Sequence, residues 1–291
     1  MNTISLTLTK IQIEKLYETF KESSVTPPPY ALYRLNVENC TIVAYTSNKV
    51  VFQGKDAQIY ASPFMSQINE TNEAYNSDNT NIYPQAGSDE VGTGDYFGPV
   101  CVCACKIEKA DIAYLKTLNI QDSKALDDNQ IREIAPKLMK RLKYSLLIVD
   151  NSKYNIIHKT NNLNAIKAKL HNQAYINLST KTSLPSLLVV DQFTPPKSYF
   201  RYLEKEKQIV KNLFFTTKAE SKYLSVACAS MIARYAFLVK WDEMEHKYNF
   251  TFHKGASSLV DQDIKQFVAK FGIEELDKVA KLHFKNTLII K

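Results

Sequence analysis

The chain has seven glycines, and four of them fall within the thirteen residues Gly87-Ser88-Asp89-Glu90-Val91-Gly92-Thr93-Gly94-Asp95-Tyr96-Phe97-Gly98-Pro99. Glycine loses more backbone freedom on folding than any other residue. Such a cluster in a glycine-poor chain marks a backbone that turns sharply or that another molecule approaches closely. Two adjacent carboxylates, Asp89 and Glu90, stand near its start. Acids beside such a turn point to metal or acid–base chemistry. The spacing of Gly92, Gly94 and Gly98 is G-x-G-x-x-x-G, which is not the dinucleotide fingerprint, and no Gly-Lys-Ser/Thr phosphate loop follows. Close approach to a ribose or phosphate stays open, as does a plain hairpin turn.

A third acid, Asp191, ends the apolar run Leu187-Leu188-Val189-Val190, before Pro195 and Pro196, which read as helix breakers. Leaving a charge buried and unpaired costs several kcal/mol. Two separate strands that each end in acid are therefore a candidate metal site, and hard oxygen ligands suit Mg²⁺ or Mn²⁺. Adjacent strand residues point to opposite faces, so Asp89 and Glu90 share an ion only if the strand ends or twists there. Glu220, in Thr216-Thr217-Lys218-Ala219-Glu220-Ser221-Lys222-Tyr223, is a fourth candidate at the mouth of a helix read over Ser221–His246. Complementing that helix dipole is its structural alternative. Such a cluster is expected to hold two ions at a scissile phosphate, one activating water and one stabilising the departing 3′ oxygen. Flanking phosphates would meet Ser123 and Lys124, then Lys218, Ser221 and Lys222, then the segment His253-Lys254-Gly255-Ala256-Ser257. Together these residues point to a metal-dependent nuclease.

Residues 66–81 are polar, rich in Asn and without apolar periodicity, which reads as a linker. We therefore expect a small domain over 1–65, a linker over 66–82 and a larger domain over 83–291. In the first, Ile13, Leu16, Tyr17 and Phe20 keep helical spacing, and Pro27-Pro28-Pro29 is expected to stop that helix. Strands are expected at Tyr30–Val37, Thr41–Tyr45 and Lys49–Phe52, with turns at Glu38-Asn39 and Ser47-Asn48 and a second helix near Ala57–Met65. This is a compact α+β unit without catalytic residues, suited to binding.

In the larger domain, strands are expected at Ala86–Glu90, Val100–Lys106, Tyr144–Val149 and Leu187–Asp191. The last two are continuous apolar runs, as in strands buried on both faces. Helices are expected at Asp127–Arg141, Leu163–Leu178, Tyr199–Gln208 and Ser221–His246. The small residues Ser225, Ala227, Cys228, Ala229, Ser230 and Ala233 would let the last of these pack closely on a sheet. Cys101, Cys103 and Cys105 recur at strand period, which spreads them too far along one line to surround an ion, so they read as buried thiols.

Residues 1–62 carry six basic and five acidic residues, whereas 87–291 carry a surplus of nine positive charges. A polyanionic partner is attracted to the segment that holds the glycine cluster. No run of about 18 apolar residues suggests a membrane span. The N-terminus lacks the pattern of a secretory signal, so a cytoplasmic location is expected.

The segments Gly87–Pro99, Asp122-Ser123-Lys124-Ala125-Leu126, Val190-Asp191-Gln192-Phe193, Lys218-Ala219-Glu220-Ser221-Lys222-Tyr223 and Val226–Arg234 occur in an order that resembles the bacterial type 2 ribonucleases H, most closely the ribonuclease HIII branch. The match spans roughly 86–260. The resemblance implies an α/β ribonuclease H-like mixed sheet with flanking helices. It also implies endonucleolytic cleavage of the RNA strand of RNA/DNA hybrids, leaving 3′-hydroxyl and 5′-phosphate ends. The family's metal-binding acids carry over to Asp89, Glu90, Asp191 and Glu220, with Mg²⁺ or Mn²⁺ as cofactor. Glu220 is an aspartate in the sibling ribonuclease HII branch, and Thr93 replaces the arginine usual there. Glu204 and Glu206 are substitutes for the fourth acid. In the family the turn corresponding to Gly92-Thr93-Gly94 contacts ribose 2′-hydroxyls, the group that distinguishes RNA from DNA. The N-terminal module resembles the TATA-binding-protein-like substrate-binding domain of that branch, although its near-neutral charge departs from a strong nucleic-acid grip. A monomer is expected. The rival readings are excision at single ribonucleotides in DNA, as in the HII branch, and a non-catalytic nucleic-acid-binding protein.

Overall fold

The computed structural model describes residues 2–62, 64, 79–120 and 126–290. Most of the linker expected over 66–82, and both Ser123 and Lys124, lie outside these residues. The chain divides into two compact units, Met1–Asn79 and Thr80–Lys291.

The first unit contains β1 (Asn2–Thr7), α1 (Lys10–Phe20), β2 (Ser24–Val25), β3 (Ala31–Val37), β4 (Cys40–Tyr45), β5 (Lys49–Gly54) and a short helix α2 over 57–62. Its strands form an antiparallel sheet in the order β1-β5-β4-β3-β2. Alternation decides its faces. Cys40, Ile42 and Ala44 of β4 are buried while Thr41, Val43 and Tyr45 are half-exposed. Ile13 and Leu16 of α1 and Ala57 and Ala61 of α2 join the buried set. Asn39 and Asn48 turn the two hairpins with positive φ, a conformation asparagine tolerates. Thr9 and Gln12 form a reciprocal cap at the start of α1.

Two expectations need correction here. Helix α1 ends at Phe20, and the turn Lys21–Ser23 and strand β2 intervene before the prolines, so Pro27–Pro29 do not stop it. The N-terminal residues, expected only to lack a signal pattern, build β1 on the edge beside β5.

The second unit contains β6 (Gln85–Val91), β7 (Val100–Ile107), α3 (Ile112–Thr117), α4 (Asp128–Arg141), β8 (Lys143–Val149), α5 (Asn151–His158), α6 (Leu163–Ser179) and β9 (Leu187–Asp191). It continues with α7 (Pro196–Tyr202), β10 (Leu213–Thr216), α8 (Leu224–Tyr248), α9 (Ser258–Phe271) and α10 (Ile273–Val279). Its sheet runs β10-β9-β6-β7-β8, with β10, β9 and β6 parallel and β7 and β8 antiparallel. This is a mixed sheet covered on both faces. Cys101, Cys103 and Cys105 of β7 pack with Ala227, Cys228 and Ile232 of α8. Val100, Val102 and Ala104 pack the other way, with Ile166, Ala174 and Tyr175 of α6. All five cysteines are buried free thiols.

Helix α8 lies against the centre of this sheet. It is long and apolar enough to cross a membrane, but 72% of its most apolar window is buried inside the protein, as in a core helix. Its small residues allow very close packing: a Cβ on Gly87 would fall 2.4 Å from the Val226 amide nitrogen. Several boundaries differ from the sequence reading. Strand β8 is an edge strand with Ile148 40% exposed, so its apolar run does not reflect burial on both faces. Pro195 and Pro196 start a helix rather than break one: Pro196 takes the first helical position of α7, where its missing N–H costs nothing. That helix spans Pro196–Tyr202 instead of Tyr199–Gln208. Helix α8 begins at Leu224, after a separate 3₁₀ turn, Ala219–Ser221, that carries Glu220.

Candidate active site

Strand register places the acids. In the parallel pair β6–β9, Ser88 is opposite Val190. Asp89 and Asp191 each follow by one residue, so they lie side by side on the face toward α8. On that face Asp89 Oδ1 accepts a hydrogen bond from its neighbour's amide, Glu90 N, at 2.8 Å, and Ser230 of α8 favours its ionised form. Asp191 Oδ1 accepts from the Ala219 amide at 2.9 Å, which ties β9 to the turn holding Glu220. Burial pushes the Asp89 carboxyl well above its ordinary range, and the charges of Glu90 and Asp191 add to that. Burial also raises Asp191, with Glu220 and Glu90 contributing and the Ala219 amide opposing. The charge of Glu220 thus reaches Asp191. Of the alternatives, Glu204 is exposed and Glu206 pairs with Lys169 at 3.1 Å.

Glu90 takes the opposite face, toward α6. His171 Nε2 lies 2.8 Å from Glu90 Oε2, and Lys167 forms an ion pair with Glu90 Oε1. His171 Nδ1 lies 2.7 Å from Ser88 Oγ. Burial opposes ionisation of Glu90, but the bond and charge of His171, with those of Lys167, outweigh it and hold the carboxyl below its usual range. The geometry follows from two periods: Ser88 and Glu90 are two apart on a strand, and Lys167 and His171 are four apart on a helix. The sequence reading missed Lys167 and His171. The signal that could have found them is their setting within a helix that also buries Ala165, Ile166 and Ala168.

The donor set fits a hard divalent cation. It consists of carboxylates from β6, β9 and the turn before α8, two of them with raised pKa because negative charge is crowded and buried. Among the described residues no three acids, histidines or cysteines stand close enough to form a finished cage, and Glu90 is engaged by Lys167 and His171.

The glycine segment divides by role. Gly92 is buried with φ +93°, and a Cβ there would meet the Pro99 carbonyl oxygen at 2.2 Å. It makes the turn. Gly94 is exposed with nothing within 4 Å of a Cβ, and half-exposed Thr93 precedes it, so this edge is open to a ligand. Behind it, Lys281 is fully buried and donates to three carbonyls of the same loop, Asp95 at 2.7 Å, Phe97 at 3.2 Å and Gly98 at 2.5 Å. Burial pulls its ammonium down to about 7, against the charge of Asp95. Asp95 Oδ1 also accepts from the Gly255 amide at 2.7 Å, and Tyr96 N donates to Gly255 O at 2.8 Å. Lys281 lies far from the motif in sequence, and no local pattern announced it.

Lys218, Ser221 and Lys222 are exposed around Glu220. Lys218 has a left-handed backbone, φ 56°, and its carbonyl accepts from Ser221 Oγ at 2.8 Å. Lys222 Nζ donates to Thr216 Oγ1 at 3.2 Å. In the third basic segment, His253 pairs with buried Asp263 and Lys254 pairs with Asp128 at 2.6 Å.

The described geometry meets its relatives at every level. The family described as Ribonuclease HII matches residues 86–287, and a domain of unknown function, DUF3378, matches residues 3–77. A Bacillus cereus protein named ribonuclease HIII is 40% identical over 98% of this chain and 97% of its own length. The Bacillus mycoides ribonuclease HIII is 39% identical over 98% and 96%. The crystal structure of Bst-RNase HIII in complex with Mn²⁺ superposes with a TM-score of 0.71 and 31% identity, covering 99% of this chain and 97% of that one. The chain therefore belongs to the type 2 ribonuclease H family, in its ribonuclease HIII branch.

Proposed function

We propose that the protein is a metal-dependent endoribonuclease that cuts the RNA strand of RNA/DNA hybrids at Asp89, Glu90, Asp191 and Glu220. The observation that supports this most is the side-by-side placement of Asp89 and Asp191, with Glu220 adjoining, in a chain of this family. Held by these acids, Mg²⁺ or Mn²⁺ would supply positive charge to activate a water and to stabilise the departing 3′ oxygen. The chain's own groups do the rest. Gly92 sets the turn that carries the open edge at Thr93 and Gly94, where a ribose 2′-hydroxyl can be approached by backbone. Lys218, Ser221 and Lys222 offer charge and hydroxyl to a phosphate next to Glu220. Ser123 and Lys124 are assigned the neighbouring phosphate by resemblance alone.

The N-terminal unit is assigned to substrate binding. One face of its sheet carries a cross-strand row of Ser5, Val51, Val43 and Arg34, with no helix packed on it among the described residues. Arg34 Nε in this row is buried without a hydrogen-bond partner among the described residues. The protein is assigned to the cytoplasm as a monomer, in keeping with its free thiols. Light scattering on the purified chain tests the monomer.

The decisive experiment compares a uniform RNA/DNA hybrid with a duplex holding one ribonucleotide, in Mg²⁺ and in Mn²⁺. Cleavage of the hybrid, with 5′-phosphate ends, is the expected result. Efficient cutting confined to the single ribonucleotide would move the protein to HII-type activity, and binding without cleavage would make it a non-catalytic binder. Removing residues 1–79 should raise the hybrid KM roughly tenfold with kcat little changed, because a second contact acts through effective concentration.

A further inference from the structure

Lys167 is buried in the wall of the site, with its side chain and that of Glu90 each only 11% exposed. Its Nζ also lies 4.0 Å from the centre of the Phe193 ring, and His171 stacks on the same ring at 5.4 Å. One aromatic plate thus carries both partners of Glu90, the Lys167 ammonium and the His171 ring. The charge of Lys167 reaches Asp191 as well, favouring its ionised form. A buried ion pair is a poor source of stability, since well-packed apolar residues of the same volume often do as well or better. Its position against Glu90 and within reach of Asp191 asks for another explanation.

We propose that Lys167 is the resident counter-cation of the metal-free carboxylate cluster, and that it competes with the divalent ion for Glu90. The inference rests on the metal-site reading above. A carboxylate oxygen satisfied by an ammonium presents less charge to an incoming ion, and an ion that takes Glu90 must break the pair. Lys167 therefore tolerates the crowded acids when no ion is present and sets how readily one enters. His171 anchors the other carboxylate oxygen through Ser88, so Glu90 keeps its place while its partner changes.

The test titrates Mn²⁺ calorimetrically into the full chain, stripped with chelator and without substrate. Lys167→Met should bind Mn²⁺ at least roughly fivefold more tightly, a coupling of the size seen between contacting charges. Its metal-free melting temperature should fall and the rise on adding Mn²⁺ should grow. Lys167→Arg should keep the parent affinity within about twofold, as charge rather than shape sets the competition. If Lys167→Met does not fold, Lys167→Gln, which can still hydrogen-bond Glu90, should move affinity the same way. In a Glu90→Gln background the Lys167→Met effect should shrink to the small remainder carried by its charge on Asp191. Unchanged or weaker Mn²⁺ binding by Lys167→Met, or an effect undiminished by Glu90→Gln, would overturn the proposal. A parent chain that binds Mn²⁺ normally alongside either result leaves the metal site standing; a parent that binds none sinks both readings.

Discussion

The two ends of the segment Gln85–Pro99 are held in opposite ways. The back, Asp95–Gly98, is fastened by the buried Lys281 ammonium, the Gly255 amide and the backbone pairing of Phe97 with Ala280. The front, Asp89 and Glu90, is set among like charges, and of the two Glu90 pairs with Lys167 and His171 among the described residues. The back is satisfied without any added component, and the front is not. This contrast separates a rigid mount from a site whose electrostatics are completed by a cation. It also explains why the glycines serve different ends: Gly92 is enclosed by protein, whereas Gly94 faces open space.

Breaking the front should cost most in catalysis. Asp89→Asn is expected to lower hybrid cleavage by about a thousandfold or more, some 4 kcal/mol of transition-state stabilisation, while hybrid binding persists. Retained activity in Mg²⁺ would refute the assignment. Breaking the mount should cost most in stability. Gly92→Ala combines a left-handed backbone with a Cβ 2.2 Å from the Pro99 oxygen. It should lower unfolding stability by about 3 kcal/mol or more in denaturant titrations.

Lys281→Met removes a donor shared by three carbonyls, of which Gly98 O keeps Asn151 Nδ2 at 2.9 Å, and should cost about 2–4 kcal/mol. It should weaken catalysis only as far as the loop loosens, and a loss of activity at full stability would show that the mount is not merely a mount. The smallest effect carries the opposite sign. Asp89→Asn should stabilise the metal-free protein at neutral pH by about 0.5–2 kcal/mol. The pH dependence follows from the raised carboxyl. A folded-state pKa above the unfolded one means that ionisation of Asp89 destabilises the fold as pH rises through that window, and the penalty disappears below the ordinary carboxylate range. The excess stability of Asp89→Asn over the parent, measured in chelator, should therefore shrink on acidification. A gap that widens at low pH would contradict the buried-charge account.

Much of the catalytic unit was legible from local pattern. Alternation in Val100–Cys105 assigned opposite faces to its cysteines and valines, and both faces proved buried. Small residues on α8 foretold its close approach to Gly87. Short elements such as β10, α5 and α10 were not legible, and α9 escaped although Val260, Ile264 and Phe267 keep helical spacing. The apolar run of β8 read as a central strand because an edge position leaves no mark in a strand's own residues. The prolines before α7 misled because the same residue that ends a helix also starts one well.

The sequence by itself pointed to the chemistry: candidate acids at strand ends, a glycine turn beside two of them, and a charge surplus on the same unit. It also determined that Asp89 and Glu90 point to opposite faces, since that follows from the strand period. Tertiary structure alone decided that Asp89 stands beside Asp191, that Lys167 and His171 meet Glu90, and that Lys281 closes the loop from behind. Each of these joins residues about 80 to 190 positions apart. Periodicity is a property of neighbours along the chain, and the register between distant elements is set only when their faces are packed together.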